Sequence, residues 1–319
     1  MRTSILAIAV VSLLGVSLTA AAADACKYSA PRNAEIDAAG LKSLLVSIGP
    51  DDLVIHGDPG ATRIVVRGTA CASSEKWLQE VKLEAVRHGD TASIVAHDDE
   101  HGIHISFFGD SYAYLKLDVS VPQSLAVKLQ EGSGDAQAGR LASLDATVGS
   151  GDLKVNGIAG GLTLQVGSGD AVASDVGSLK VSSVGSGDVR VDSVHGDVEV
   201  GSVGSGDFAA SNVKGNATIG SVASGDAKLT GVVGSVSVRS VGSGDLDLLD
   251  VTGNVGVGAV ASGDVDMKRV GGNVHAGSVG SGDFDADGVG GNFTVDSIGS
   301  GDAGHHGVKG KVSVPRDDD

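Results

Sequence analysis

Aromatic residues make up 3% of the 319-residue chain, proline occurs five times, and methionine and cysteine occur twice each. With so few large side chains the interior must be narrow. Lys and Arg are outnumbered 23 to 40 by Asp and Glu, for a formal net charge of −17, so a nucleic acid or an anionic membrane would meet a repelling surface. Cations and cationic partners are favoured instead. Past the N-terminal leader no apolar run approaches the ~20 residues of a bilayer span. Disorder is excluded as well: 41% of residues are hydrophobic, mostly Val, Ala and Leu, and they recur at fixed spacing beside 50 glycines.

Residues 1–23 open with Arg2, run through an apolar core from Ile5 to Leu18 and end in Ala20, Ala21, Ala22 and Ala23, the pattern of a secretory signal peptide. Cleavage is expected near Ala23. Lipidation at Cys26 is disfavoured because Ala23-Asp24-Ala25 lacks the leucine-rich box that precedes a lipidated cysteine. The mature chain then holds Cys26 and Cys71, an even count in an oxidising compartment, and the two are expected to form a disulfide. Export to the periplasm or the cell surface follows.

What the chain has in abundance is repetition. Ser-Gly-Asp occurs ten times, with its aspartates at Asp135, Asp152, Asp170, Asp188, Asp207, Asp226, Asp245, Asp264, Asp283 and Asp302; the spacing is 17, 18, 18 and then 19 residues throughout. Apolar residues recur one, three and six positions after each Asp, and the last column runs Leu141, Ile158, Val176, Val194 onward to Val308. The segment Gly-Asp264-Val265-Asp-Met267-Lys-Arg-Val270 is echoed by Gly-Asn273-Val274-His-Ala276-Gly-Ser-Val279, so each coil holds two similar strands. Two-residue alternation then points every second side chain inward. The glycines at both half-turns are expected to supply positive φ, and the adjoining Asp or Asn to bond amides of its own turn.

Such coils stack as parallel strands ~4.8 Å apart, giving a rod on the order of 45 Å long. The fold class is all-β: a single-chain parallel β-solenoid of about 19 residues per coil with an irregular N-terminal cap. Its core is dry and narrow, with no cofactor and no buried ligand. The expected divisions are the signal peptide (1–23), an irregular β-rich region (24–125), the regular solenoid (126–315) and an acidic tail (316–319). Ile48-Gly-Pro-Asp-Asp52-Leu53-Val-Ile55 matches the register of Val184-Gly-Ser-Gly-Asp188-Val189-Arg-Val191, which starts the solenoid near residue 41 in degenerate coils that carry an excursion. One helix is expected, over Ser74–Glu80. Atypical terminal coils would cap edges that could otherwise pair, and Pro315 with Asp317, Asp318 and Asp319 discourages stacking at the other end.

The leader, the stretch Leu117-Asp-Val119-Ser-Val121-Pro122-Gln-Ser-Leu125-Ala-Val127 and the Gly-Ser-Gly-Asp turns together resemble the bacterial β-strand-repeat family named putative adhesins, similar to the head domain of a putative autotransporter adhesin. The resemblance spans nearly the whole mature chain. It implies a right-handed solenoid and brings no catalytic residues with it.

Several residue groups are candidates for chemistry. The residue after the second-edge glycine varies among Asp197, Asn216, Ser235, Asn254, Asn273, Asn292 and Lys311, whereas the first edge carries only Asp. Carboxylates ~4.8 Å apart repel by roughly 0.9 kcal/mol per pair even at water's dielectric constant, so something must compensate. Turn amides are the favoured candidate. The alternative is a weak Ca²⁺ or Mg²⁺ column along Asp188, Asp207, Asp226, Asp245, Asp264 and Asp283, since hard cations take carboxylate oxygens. Phe107, Phe108, Tyr112 and Tyr114 concentrate the aromatics in one excursion, where they either bind a sugar or protein partner or cover the end of the solenoid. His97, His101 and His104 among Asp98, Asp99 and Glu100 read as a solvated acidic loop before a strand at Ile103–Phe107. His305 and His306 face opposite sides of a strand and are expected at the surface.

Parallel β-helices also serve polysaccharide lyases and hydrolases, but those need a cleft with distinct acid and base groups. The turns here are uniformly tight and the aspartates equivalent. The sequence therefore reads as a non-enzymatic, exported, adhesin-like or envelope-scaffold surface, with an envelope glycan or surface protein as partner and a polysaccharide-modifying enzyme as the alternative.

Overall fold

The computed structural model describes residues 26–98 and 112–315. The expected signal peptide, the expected strand Ile103–Phe107, Phe108, His101, His104, Asp99, Glu100 and residues 316–319 lie outside the described residues. In the regular array each coil contributes two six-residue strands, such as Val189–Val194 and Val198–Val203. Each pairs in parallel with its equivalent one coil later: Val189 opposes Phe208 and Val198 opposes Ala217. The hydrogen-bond ladder continues through the turns, where the Gly185 amide donates to Val166 O (2.9 Å) and the Ser186 amide to Gly167 O (2.8 Å). The 19-residue spacing in the sequence is thus the circumference of a hydrogen-bonded coil.

Simple alternation does not describe the strands. The first, third and sixth residues are buried and the fifth is not. In the first strand of every coil that fifth residue has a positive φ, between 56° and 80°, held by Arg140, Asp175, Ser193, Asn212, Asp250 and Arg269 and by glycine in the other four coils. In the first strands this left-handed residue sits where the inward parity shifts by one, just before the apolar residue six positions after the Asp; the second strands make the same shift without a positive φ. The expectation that turn glycines supply positive φ is corrected. No Ser-Gly-Asp glycine is left-handed; a Cβ at Gly206 would lie 1.9 Å from Gly187 O, so close approach between coils imposes glycine there. The interior is a continuous file of fully buried Val, Ala, Leu and Ile, joined by Met267, Phe208, Phe284 and Phe293.

The N-terminal region comprises β1 (Tyr28–Pro31), β2 (Ala34–Asp37), β3 (Ser43–Ile48), β4 (Asp52–Asp58), β5 (Arg63–Ala72), α1 (Glu75–Glu80), β6 (Val81–His88), β7 (Thr91–Asp98) and β8 (Ala113–Pro122); β9 (Ala126–Glu131) and β10 (Ala136–Leu141) follow. Strands β3 and β4 pair in parallel with β9 and β10, with Leu53 opposite Ala136, so the solenoid does begin near residue 41. On their other side β3 and β4 pair in parallel with β7 and β8. Strands β7 and β8 therefore lie outermost in the parallel stack, and the earlier residues 43–58 lie between them and the array.

The cap follows by a change of strand direction. Strand β5 runs antiparallel to β8 and β6 antiparallel to β7, while β1 and β2 cover the far edge of β5. Edge strands of the parallel stack are thereby paired and covered. Helix α1 starts at Ser74, whose hydroxyl accepts from the Trp77 amide (3.3 Å), and Arg32 closes its far end with bonds to Leu78 O and Val81 O, both 2.9 Å. The Cys26–Cys71 disulfide pins the segment before β1 to β5. Among the described residues no helix is long and apolar enough to cross a membrane.

Candidate functional site

The aspartate column is a hydrogen-bonded ladder. The Oδ1 of each Asp accepts the backbone N–H of the Asp one coil later, from Asp135 to Asp283 in eight successive links of 2.9–3.3 Å. The acceptor serves the next coil rather than its own turn, which corrects the expectation that each Asp caps its own turn. The second edge carries the same ladder: Asp197, Asn216, Ser235, Asn254, Asn273 and Asn292 each accept the next coil's amide at 2.8–3.1 Å. An acceptor oxygen is what the geometry requires, and the negative charge is additional to it. Among the described residues no group of three or more His, Cys, Asp or Glu side chains is placed to hold a metal ion.

Glu131 departs from the pattern. It ends β9 opposite Ile48 and Val148, at an inward position where its neighbours are aliphatic, and it is 4% exposed. Neither carboxylate oxygen has a hydrogen-bond partner of acceptable geometry. Burial pushes its carboxyl up to about 7; nearby Asp135 and Asp152 act in the same direction, and the amides of Gly149 and Gly151 oppose it. Asp51, by contrast, is buried and accepts from the Leu115 amide at 2.6 Å, tying the 43–58 coil to β8.

Of the aromatic excursion, Tyr112 and Tyr114 are described, and both are half-buried with ring centroids 5.9 Å apart. The Tyr112 hydroxyl accepts from the Lys27 amide (3.1 Å), and Tyr114 lies opposite Cys71 across β5 and β8. His97 lies in β7, not in a loop. His305 and His306 are exposed, and the His305 ring lies 5.4 Å from Phe293 at the C-terminal end of the core.

The outer face of the sheet made by the first strands carries a trough. Cavities of about 730, 510 and 290 Å³ follow one another along it. Val54 and Gln137 line both the first and the second, and Val172 both the second and the third. The middle cavity is lined by Arg140 and Lys154 and by no carboxylate. Toward the C-terminus the same face turns acidic at Asp247, Asp266 and Asp285; desolvation, helped by Asp247 and Asp285 on either side, holds the Asp266 carboxyl above the usual range. Sequence reasoning passed over Glu131, Arg140 and Lys154. Setting Glu131 against Val148 in the 17-residue register would have flagged it, whereas the trough needs the coils stacked before its residues meet.

No family model and no curated protein matches the chain. Among solved structures, a putative adhesin from Parabacteroides merdae is similar at 13% identity and a TM-score of 0.37, covering 88% of this chain and 96% of that one. A putative lipid binding protein from Parabacteroides distasonis is 13% identical with a TM-score of 0.31, over 90% and 97%. A putative cell adhesion protein from Clostridium sporogenes is 10% identical with a TM-score of 0.25, over 90% and 99%. Identities and scores this low leave function to be argued from this chain's own residues.

Proposed function

We propose that the chain is an exported, non-enzymatic β-solenoid that serves as an adhesin-like or envelope-scaffold binding surface. The observation that carries this reading is the trough, a concave strip that crosses several coils of a fully hydrogen-bonded sheet. A surface built from repeated outward columns offers several equivalent contacts at once, and linked contacts raise avidity without any single strong one. Catalysis by paired carboxylates needs two groups in unlike environments, and the column aspartates share one bonding pattern instead. The disulfide supports an oxidising compartment.

The purified mature chain should bind intact bacterial cells or envelope glycans and leave acidic polysaccharides unshortened. New reducing ends in a turnover screen would move the assignment to a polysaccharide-modifying enzyme. Tyr112 and Tyr114 belong in the same assay as substitutions to Ala, and cell fractionation decides between periplasm and surface. We read the first-edge column as a ladder that also keeps rods apart in solution by like charge. A melt in millimolar calcium should leave the midpoint unchanged; a rise would instead assign the column a cation.

A further inference from the structure

The trough's charge is opposite in sign to that of the molecule around it. In a chain of formal charge −17 its three cavities are lined by six cationic side chains against four carboxylates. Elsewhere on the solenoid three cations are paired along the stack, Lys128 with Asp145, Lys180 with Glu199 and Arg269 with Asp250. Within the trough Arg190 and Lys228 also have carboxylate partners, Asp188 and Asp247. Arg140 and Lys154 in the middle cavity have none among the described residues. They are flanked by two of the few large apolar side chains that the fold leaves exposed, Val54 at 40% and Val172 at 47%. Beside these stand Gln137, Asn156 and Ser174, which can exchange hydrogen bonds with hydroxyl groups.

We propose that this trough binds an acidic polysaccharide, with a uronate carboxylate seated on Arg140 and Lys154 and the adjoining sugars laid along Val54 and Val172. The inference rests on the binding reading given above and names its ligand class. A guanidinium matches a carboxylate in a two-pronged geometry, and unpaired cations need shed no partner on binding. Sugar C–H faces suit the exposed valines. Lys154, Arg190 and Lys228 occupy one outward column, two coils apart in each step, so cationic groups recur about every 10 Å along the trough. A sparsely charged chain fits that interval. Nucleic acid fits it poorly, with a phosphate every ~3.4 Å along each strand, and the surplus phosphates would face Asp52, Asp118 and Asp135 at one end and Asp192 at the other.

The test is fluorescence anisotropy of the mature chain with a labelled hyaluronan oligosaccharide, which alternates uronate with a neutral sugar and is long enough to span the trough, at low and at physiological salt. Lys154→Gln and Arg140→Gly should each weaken binding about tenfold, and added salt should weaken the wild type. Arg140→Gly preserves the backbone, because Gly157 and Gly231 hold the same left-handed position in other coils. Arg239→Gln, an exposed cation on the other sheet, should change binding less than about twofold. Equal loss in Arg239→Gln, equal binding of a neutral glucan, or tighter binding of single-stranded oligothymidylate would each overturn the assignment. A wild type that ignores the hyaluronan oligosaccharide yet still binds cells would overturn this inference alone, whereas failure to bind either would remove the binding reading with it.

Discussion

At the scale of the residue, two glycines of neighbouring coils hold their places for different physical reasons. Gly206 has no room, since its Cβ would lie 1.9 Å from Gly187 O, whereas Gly231 has room but a φ of 69°. Gly206→Ala must push two coils apart and should cost about 3 kcal/mol or more. Gly231→Ala pays only for the left-handed backbone, about 1 kcal/mol. Thermal melts of the two variants should separate them clearly, and equal losses would refute the distinction. Glu131 supplies a second prediction. Its carboxyl is raised from 4.5 to about 7 in the folded chain, so the fold holds that proton more tightly than the unfolded chain does. Stability from this group is therefore full below pH 4.5 and is lost as pH rises through 7. The melting midpoint should fall between pH 5 and 8, and Glu131→Val, which restores the aliphatic column, should remove that part of the fall and raise the midpoint most at pH 8.

At the scale of the element, the first-edge turns from Asp135 to Asp264 and the second-edge turns from Asp197 to Asn292 are held by a side-chain oxygen that bonds the next coil's amide. Asp226→Asn keeps an acceptor for the Asp245 amide and removes repulsion from the carboxylates on either side, so its midpoint should equal or exceed the wild type, with the gap widening at low salt. Asp226→Ala removes the acceptor and should cost about 0.5–1.5 kcal/mol. If Asn proved as costly as Ala, the charge and not the hydrogen bond would be what the first edge requires. Much of this level was legible in the sequence. The columns one, three and six residues after each Asp identify the inward positions correctly, and their odd-to-even step already signals a break in alternation. What the sequence could not reveal is the left-handed residue beside that break in the first strands, because Arg140, Asp175, Ser193 and Asn212 share no side-chain chemistry that marks one.

At the scale of the molecule, every coil rests only on its two neighbours, so the rod behaves as a one-dimensional stack. Excising one full period, residues 208–226, should leave a folded rod about 4.8 Å shorter, with unchanged strand content per residue by circular dichroism and the shortening visible in small-angle scattering. Excising half a coil should abolish folding past the cut, since each later strand would then be offered to the wrong sheet. Loss of structure in the full-period excision would show that coils are not interchangeable.

The sequence alone determined the coil: its circumference, its two strands, its apolar columns and its point of origin near residue 41. These are local, periodic properties, written into each repeat by the spacing of valine, glycine and aspartate. Only the tertiary structure decided that β7 and β8 sit outside residues 43–58, that β5 and β6 close the stack by running antiparallel, and that Arg140 and Lys154 share one cavity with Val54 and Val172. Those are relations between segments far apart in the chain. Stacking and capping create them, and no periodicity along a single strand can encode them.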